Sequence, residues 1–240
     1  MKHKSPVNQP IAIIGGTSFM ESPLFSSWNV RRIKTVHGLV EIREEKDVIF
    51  LQRHTARPVP PHMINHKANI RALKDLAVRK VVAINSVGSL RISLKPGMFI
   101  IPDDFIAIWK IPTFFDREMH FIVPTMDQDL RISLANLLRE HRIKVRSGGV
   151  YIETLGPRLE TKAEIALLKP YGHVVGMTMA SEATLCMEYG IPYASLCCVD
   201  NYCNGILRVP LTMEQIRENV RKNVKTIEIV IESLVTRGIS

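Results

Sequence analysis

Seven short apolar runs punctuate the chain: "IAIIGG", "DVIFLQRH", "KVVAINSVG", "MFIIPDDFI", "GGVYIET", "VVGMT" and "YASLCCVDN". They are rich in β-branched residues and do not alternate with polar ones, the pattern of strands buried on both faces of a central sheet. Between them, apolar positions fall at helical spacing, most clearly in "HKANIRALKDLAV", "DQDLRISLANLLREHRI" and "TKAEIALLK". A further helix is expected over Ala180 to Tyr189. A long one is expected in "TMEQIRENVRKNVKTIEIVIESLVTR", where Thr212 with Gln215 three residues on has the form of a capping box. Strand and helix alternate, so the predicted fold is α/β: a single domain over residues 1–240, with a central mixed β-sheet flanked by helices. Residues 102–125 interrupt the pattern. Three prolines and "TFFD" mark a loop excursion suited to a binding rim or a subunit contact.

Composition narrows the class without fixing it. With 240 residues, 46% apolar and 23% charged, the chain suits one soluble globular domain. A net charge of +9 fits a nucleic-acid surface, an anionic small substrate, or a basic soluble protein. Its Lys and Arg are dispersed, with the densest groups at Arg31-Arg32-Lys34 and Arg217-Arg221-Lys222, and few aromatics lie among them. That argues against nucleic acid and leaves a phosphate-bearing small substrate as the simpler reading. The cysteines, Cys186, Cys197, Cys198 and Cys203, lack paired metal spacing; in "YASLCCV" they read as buried thiols, which implies a reducing cytoplasm. The N-terminal "MKHKSPVNQP" leads into a short run ended by glycines rather than a long apolar stretch, so no signal peptide is expected. No window approaches the roughly 18 uninterrupted apolar residues of a spanning helix, so no membrane partner is expected either.

Ligands of open α/β sheets gather beyond the carboxyl ends of the strands. After the first run comes "GGTS", whose glycines let backbone amides approach an anion and whose Thr17 adds a hydroxyl. After "VIFLQ" come Arg53 and His54, a fixed cation beside a tunable one. After "VVAI" come Asn85, Ser86 and Gly88; after "VVGM" comes Thr178, with Ser181-Glu182 at a helix start. Each alone also fits an ordinary turn or cap. Together, four strand ends offering anion-binding groups predict a phosphate cradle.

The runs "IIGGTS", "RH", "HKANIRALK", "NSVGSL", "PGMFIIPDDFI", "TFFD", "GPRLETKAE", "GMTMASEATLCMEYGIPYASL" and "VDNY" stand in the order and spacing of a known family. From about Ile11 to Val230 the chain resembles the trimeric purine nucleoside phosphorylases and methylthioadenosine phosphorylases. The resemblance implies phosphorolysis: phosphate attacks the ribose anomeric carbon of a purine nucleoside, releasing base and ribose 1-phosphate. An oxocarbenium-like sugar must then be stabilised between two anions, largely by electrostatic placement. It further implies a phosphate site of Thr17, Arg53, His54, Asn85, Ser86 and Thr178, with Met177 against the ribose and Glu182 beside the sugar hydroxyls. Inorganic phosphate is the co-substrate; no cofactor or metal is implied, and the expected assembly is a homotrimer or a dimer of trimers.

Within "VYIETLGPRLETKAE" stand three carboxylates, Glu153, Glu160 and Glu164. Members of this family acting on 6-oxopurines have a Glu after the ring-contacting loop residue, where it accepts from a purine ring N–H. Leu159 and Glu160 match those two positions. The same members use Asn to donate to the base's five-membered-ring nitrogen and 6-oxygen, where adenine-type members use Asp; Asn201 is the match. Glu153 and Glu164 are expected as surface or capping charges. Asp200, immediately before Asn201, is the concern, since a one-place slip would put a carboxylate in the base site and reverse the preference. At the 5′ end, nucleoside-type members have a His early in the C-terminal helix and methylthio-type members an apolar residue. Met213 stands there, so the combination resembles the methylthioinosine phosphorylases, and His120 falls where a neighbouring subunit covers the 5′ end.

The chain departs from the family at Thr55, Ser181 and Leu159, where Gly, Pro and an aromatic are commoner; the last weakens base stacking. The rival readings are a nucleosidase using water, which the Arg53-His54 pair disfavours; an adenine-type methylthioadenosine phosphorylase; and a phosphorylase for a larger 5′ group such as futalosine. A non-catalytic purine- or nucleic-acid-binding protein is the rival from another class.

Overall fold

The apolar runs form strands whose successive residues feed separate cores, two large ones and a smaller one of Leu90, Ile152, Ile165, Leu168, Val175 and Cys203. The computed structural model describes residues 9–19, 22–109 and 111–239; residues 1–8, the basic N-terminal stretch, lie outside them. The strands are β1 (Ile11–Gly15), β2 (Asn29–Thr35), β3 (Gly38–Glu45), β4 (Val48–Gln52), β5 (Lys80–Ser89), β6 (Phe99–Ile101), β7 (Asp104–Ile106), β8 (Val145–Ser147), β9 (Val150–Glu153), β10 (Val174–Gly176) and β11 (Tyr193–Tyr202). The helices are α1 (His66–Asp75), α2 (Gln128–Glu140), α3 (Lys162–Leu168), α4 (Met179–Glu188) and α5 (Met213–Arg237).

In β1, Ala12 and Ile14 join a core that also takes Ile70 and Leu73 of α1 and Ala183 of α4. Ile11 and Ile13 join the other, with Leu130 and Leu134 of α2 and Ile227 and Val230 of α5. Cys197 and Cys198 divide in the same way, one to each core. All four cysteines are free and buried, as expected, and burial pushes the Cys197 thiol up to about 12.

At the centre of the sheet, β4, β1, β5 and β11 run parallel. Antiparallel β3 and β2 extend one side, while β6, antiparallel to β11, and β8, parallel to β6, extend the other. The ten-residue β5 outlasts β1, and its last residues, Gly88 and Ser89, pair antiparallel with β10, which carries β9 and β7 in parallel. So the sheet is mixed, and β5 ends in a fork between β10 and β11.

The hairpin of β2 and β3 is absent from the sequence prediction. Its first strand, "NVRRIKT", exposes four successive residues, and Arg31–Glu44 and Arg32–Glu41 pair across it, so no apolar run marks it. "MFIIPDDFI" divides into β6 and β7 at Pro102, which has no N–H to continue a ladder. Helix α4 begins at Met179, one residue before the predicted start. Thr212 caps α5 by accepting from Gln215 N at 3.3 Å, and the fully reciprocal box forms at α3 between Thr161 and Glu164. The buried residues of α5 begin only at Asn223. No helix among the described residues is long and apolar enough to cross a membrane.

Candidate functional site

A cavity of about 210 Å³ opens at the fork of β5. It gathers Thr17 from the turn after β1, Arg53 and His54 after β4, Ser86 from β5 and Thr178 at the start of α4. The same walls include Leu159 and Glu160 from the loop before α3, Met177, Asn201 of β11 and Met213 of α5. Residues scattered over nearly two hundred positions thus meet because parallel β1, β4 and β11 end beside β5, where antiparallel β10 brings in Met177 and Thr178.

Arg53 is 2% exposed and tightly held. Its Nε donates to Glu182 Oε1 at 2.6 Å, Nη2 to Glu182 Oε2 and Ile14 O at 3.3 Å each, and Nη1 to Ile84 O at 2.8 Å. Those four bonds use four of the five guanidinium hydrogens and leave one on Nη1. Burial works against the charge, but Glu182 more than offsets it and keeps the guanidinium pKa above its ordinary value. The close packing depends on Gly16, where a Cβ would stand 2.3 Å from Nη1. Glu182 is therefore no sugar ligand: it is 1% exposed, takes Arg53 and the Tyr193 hydroxyl at 3.0 Å, and does not line the cavity.

Asn85 also sits behind the cavity wall. Its Nδ2 donates to Thr178 Oγ1 at 2.8 Å, and its Oδ1 accepts from Ser195 Oγ at 2.7 Å. With its oxygen accepting from Asn85, Thr178 keeps its own hydroxyl hydrogen for the cavity. Asn85 thus aims a donor from behind the wall and does not line the cavity. His54 Nδ1 lies 2.8 Å from the Val59 carbonyl, which can only accept, so Nδ1 carries the hydrogen and Nε2 is the free position. Burial, with Arg53 adjacent, lowers the imidazole pKa, and the Val59 bond opposes that shift.

Glu160 is half-buried, with Oε1 accepting from Thr154 Oγ1 at 2.6 Å and its backbone carbonyl accepting from Asn204 Nδ2. Asn201 Nδ2 donates one hydrogen to Tyr202 O at 2.9 Å. Gly156, at φ +64°, lets Met177 lie over the loop, with Sδ 2.5 Å from where a Cβ would be. Met213 is 54% exposed at the first turn of α5. His120 does not line this chain's cavity; it is exposed and stacked on Phe115 with ring centroids 3.8 Å apart.

Asp200 faces away from the cavity. The pairing of β11 with β5 shifts register between Val199 and Asn201, leaving Asp200 as the extra residue of a bulge. Its side chain is wholly buried, accepting from Ser86 Oγ and, at 2.7 Å, from Asn223 Nδ2. Burial pushes its carboxyl up to about 6, while Ser86 and Asn223 pull it down. Asn223 carried a readable signal: it occupies the core stripe Asn223-Ile227-Val230-Leu234 of an otherwise apolar helix face.

Glu153 is no surface charge. It is 6% exposed at the end of β9, accepting from Ala180 N at 2.6 Å, from Ser181 N and from Ser181 Oγ. Burial raises its pKa to about 7 against those hydrogen bonds, with Glu182 adding to the rise. The folded chain therefore holds this proton where the unfolded chain has released it. Its contribution to stability is full below the ordinary value of 4.5 and is lost as pH rises to about 7. Over that window the parent should lose on the order of 3 kcal/mol more than Glu153→Gln, which stays neutral. Denaturant melts across the pH series check this; parallel profiles for the two proteins would contradict it. Glu164, by contrast, is the expected capping charge, bonded to Thr161 N and paired with Arg158.

The family described as "Phosphorylase superfamily" matches residues 10–236. A "probable 6-oxopurine nucleoside phosphorylase" of Archaeoglobus fulgidus is 39% identical over 233 residues, covering 95% of this chain and 96% of that protein. A "probable S-methyl-5′-thioinosine phosphorylase" of Methanocaldococcus jannaschii is 40% identical over 234 residues, covering 95% and 92%. The solved methylthioadenosine phosphorylase from Schistosoma mansoni, in complex with adenine, superposes with a TM-score of 0.82 over 95% of this chain and 91% of that one. At 24% identity, that last likeness is one of fold alone.

Proposed function

The chain belongs to the phosphorylase superfamily, and from that premise we propose that it cleaves 6-oxopurine nucleosides with inorganic phosphate. The supporting observation is the single cavity that joins anion-binding groups, Thr17, Arg53, His54, Ser86 and Thr178, to a base-reading pair, Glu160 and Asn201. Relatives named for 6-oxopurine nucleosides and for methylthioinosine, both near 40% identity, favour the same base class.

A phosphate oxygen attacks the anomeric carbon as the bond to the purine nitrogen breaks, and the base leaves with the bonding pair. Thr17, the Thr178 hydroxyl and the remaining Nη1–H of Arg53 donate to the incoming anion. The second N–H of Asn201 donates to the departing purine, where negative charge builds, and the free oxygen of Glu160 accepts from the ring N–H. Hydrogen bonds placed where charge develops account for most of the acceleration in such a site. Met177 covers the ribose. Phosphate enters as a co-substrate, and the reaction as proposed uses no cofactor or metal.

Met213 gives the cavity mouth an apolar, flexible side chain suited to a thioether, which favours a methylthio group at the 5′ position. The assembly we propose is a ring of copies, as in the trimeric enzymes this chain resembles. Ile108, Trp109, Ile111, Met119, Phe121 and Val123 expose a run of apolar side chains along the loop that carries His120.

Phosphate-dependent release from inosine, adenosine, methylthioinosine and methylthioadenosine, measured side by side, tests the reading. Hypoxanthine should appear from both oxo substrates, faster from the methylthio one, with little adenine. Dominant adenine release would overturn the base assignment, and release without phosphate would make the enzyme a hydrolase.

A further inference from the structure

Ser86 is the one cavity-lining hydroxyl whose hydrogen is committed behind the wall. It donates to Asp200 Oδ2, and Asn223 Nδ2 donates to Oδ1 at 2.7 Å, so both carboxylate oxygens are occupied by donors. Asn219 Nδ2 adds a bond to the Asp200 backbone carbonyl at 2.8 Å, fixing the bulge against α5. The Asp200 carboxyl, pushed up to about 6, is still ionised at neutral pH and accepts rather than donates. A hydroxyl has one hydrogen, so Ser86 turns only lone pairs toward the cavity. His54 adds a second acceptor, because its Nδ1 hydrogen is held by the Val59 carbonyl and Nε2 of the neutral ring has only a lone pair to offer.

We propose that Asp200 is a positioning residue that makes Ser86 an acceptor and thereby selects an oxyanion still carrying a proton, phosphate, over one that carries none, sulfate. The inference rests on reading the cavity as a phosphate site. Phosphate near neutral pH retains at least one P–OH and can donate it to Ser86 while its other oxygens accept from Thr17, Thr178 and Arg53. Sulfate has the same shape but no hydrogen, so its oxygen would face the Ser86 lone pairs unpaired. In Asp200→Asn the side-chain amide can donate to Ser86 Oγ, which frees the hydroxyl hydrogen to point into the cavity and serve either anion.

Titration calorimetry with phosphate and with sulfate at pH 7.5 tests this without turnover. The parent should bind phosphate at least roughly tenfold more tightly than sulfate, the scale of one unmatched buried hydrogen bond. D200N should narrow that ratio through a gain in sulfate affinity, with the His54 acceptor keeping the remainder, and sulfate should become a stronger competitive inhibitor against phosphate. Ser86→Ala, which deletes the acceptor, should also narrow the ratio and decides the matter alone if D200N does not fold. Equal binding of the two anions by the parent, or a ratio unchanged in both variants, would overturn the inference. A parent that discriminates the anions but releases no purine would instead sink the proposed reaction and leave the selectivity standing.

Discussion

Asn201→Asp lowers kcat/KM for a 6-oxopurine nucleoside about 10²- to 10³-fold at neutral pH, the cost of removing one donor aimed at developing negative charge. The geometry behind this figure is direct. One amide hydrogen of Asn201 is held by the Tyr202 carbonyl at 2.9 Å, and the other is free in a cavity that also contains Glu160. An aspartate removes both donors and adds a second carboxylate to the same space. Neighbouring Asp200 cannot mimic or mask the change, since its carboxylate is turned to Ser86 and Asn223. The loss should fall on 6-oxo substrates far more than on adenosine, so the ratio of the two kcat/KM values is the quantity to measure. Unchanged hypoxanthine release would remove Asn201 from the base site altogether.

Arg53→Met should destabilise the fold by about 3–5 kcal/mol, because it strands Glu182 without its partner at 1% exposure. The methionine fills much of the stem's volume but leaves the carboxylate with only the Tyr193 hydroxyl at 3.0 Å. Replacing both charges, Arg53→Met with Glu182→Leu, should recover a large part of the stability, since the buried pair costs desolvation energy that apolar side chains do not. Activity should not return with it, because the Nη1 hydrogen facing the anion is gone. Urea denaturation of both variants separates these effects. A single variant as stable as the parent would mean the pair is not a strut between β4 and α4.

What the sequence reveals, and what it hides, follows from the reach of each interaction. Strands buried on both faces are legible because "IAIIGG" or "YASLCCV" can satisfy only an interior position, whatever the partner. The hairpin of β2 and β3 escapes because its stabilising pairs, such as Arg32 with Glu41, are charged and exposed, and so read as surface. Most of the strand-end positions that line the cavity were legible, but their division of labour was not. Asn85 and Glu182 lie in register with the cavity, yet one is spent on aiming Thr178 and the other on neutralising Arg53, partners 93 and 129 residues away. Glu153 reads only as a surface or capping charge, with no sign of its burial, because the amides that donate to it belong to a helix start 27 residues on. No local pattern reports a partner of that kind.

Helix α5 contributes no buried side chain over its first ten residues, Met213 to Lys222. Yet that stretch carries Met213 and Ile216 to the cavity wall. Apart from the Asn219 bond to the Asp200 carbonyl, the stretch that brings Met213 and Ile216 to the cavity is therefore nearly uncoupled from the part that must stay folded. Adaptation to a new substituent can proceed there by single surface substitutions, each close to neutral for folding. Substrate range can then diverge among relatives that share one reaction, with the chemistry inherited unchanged.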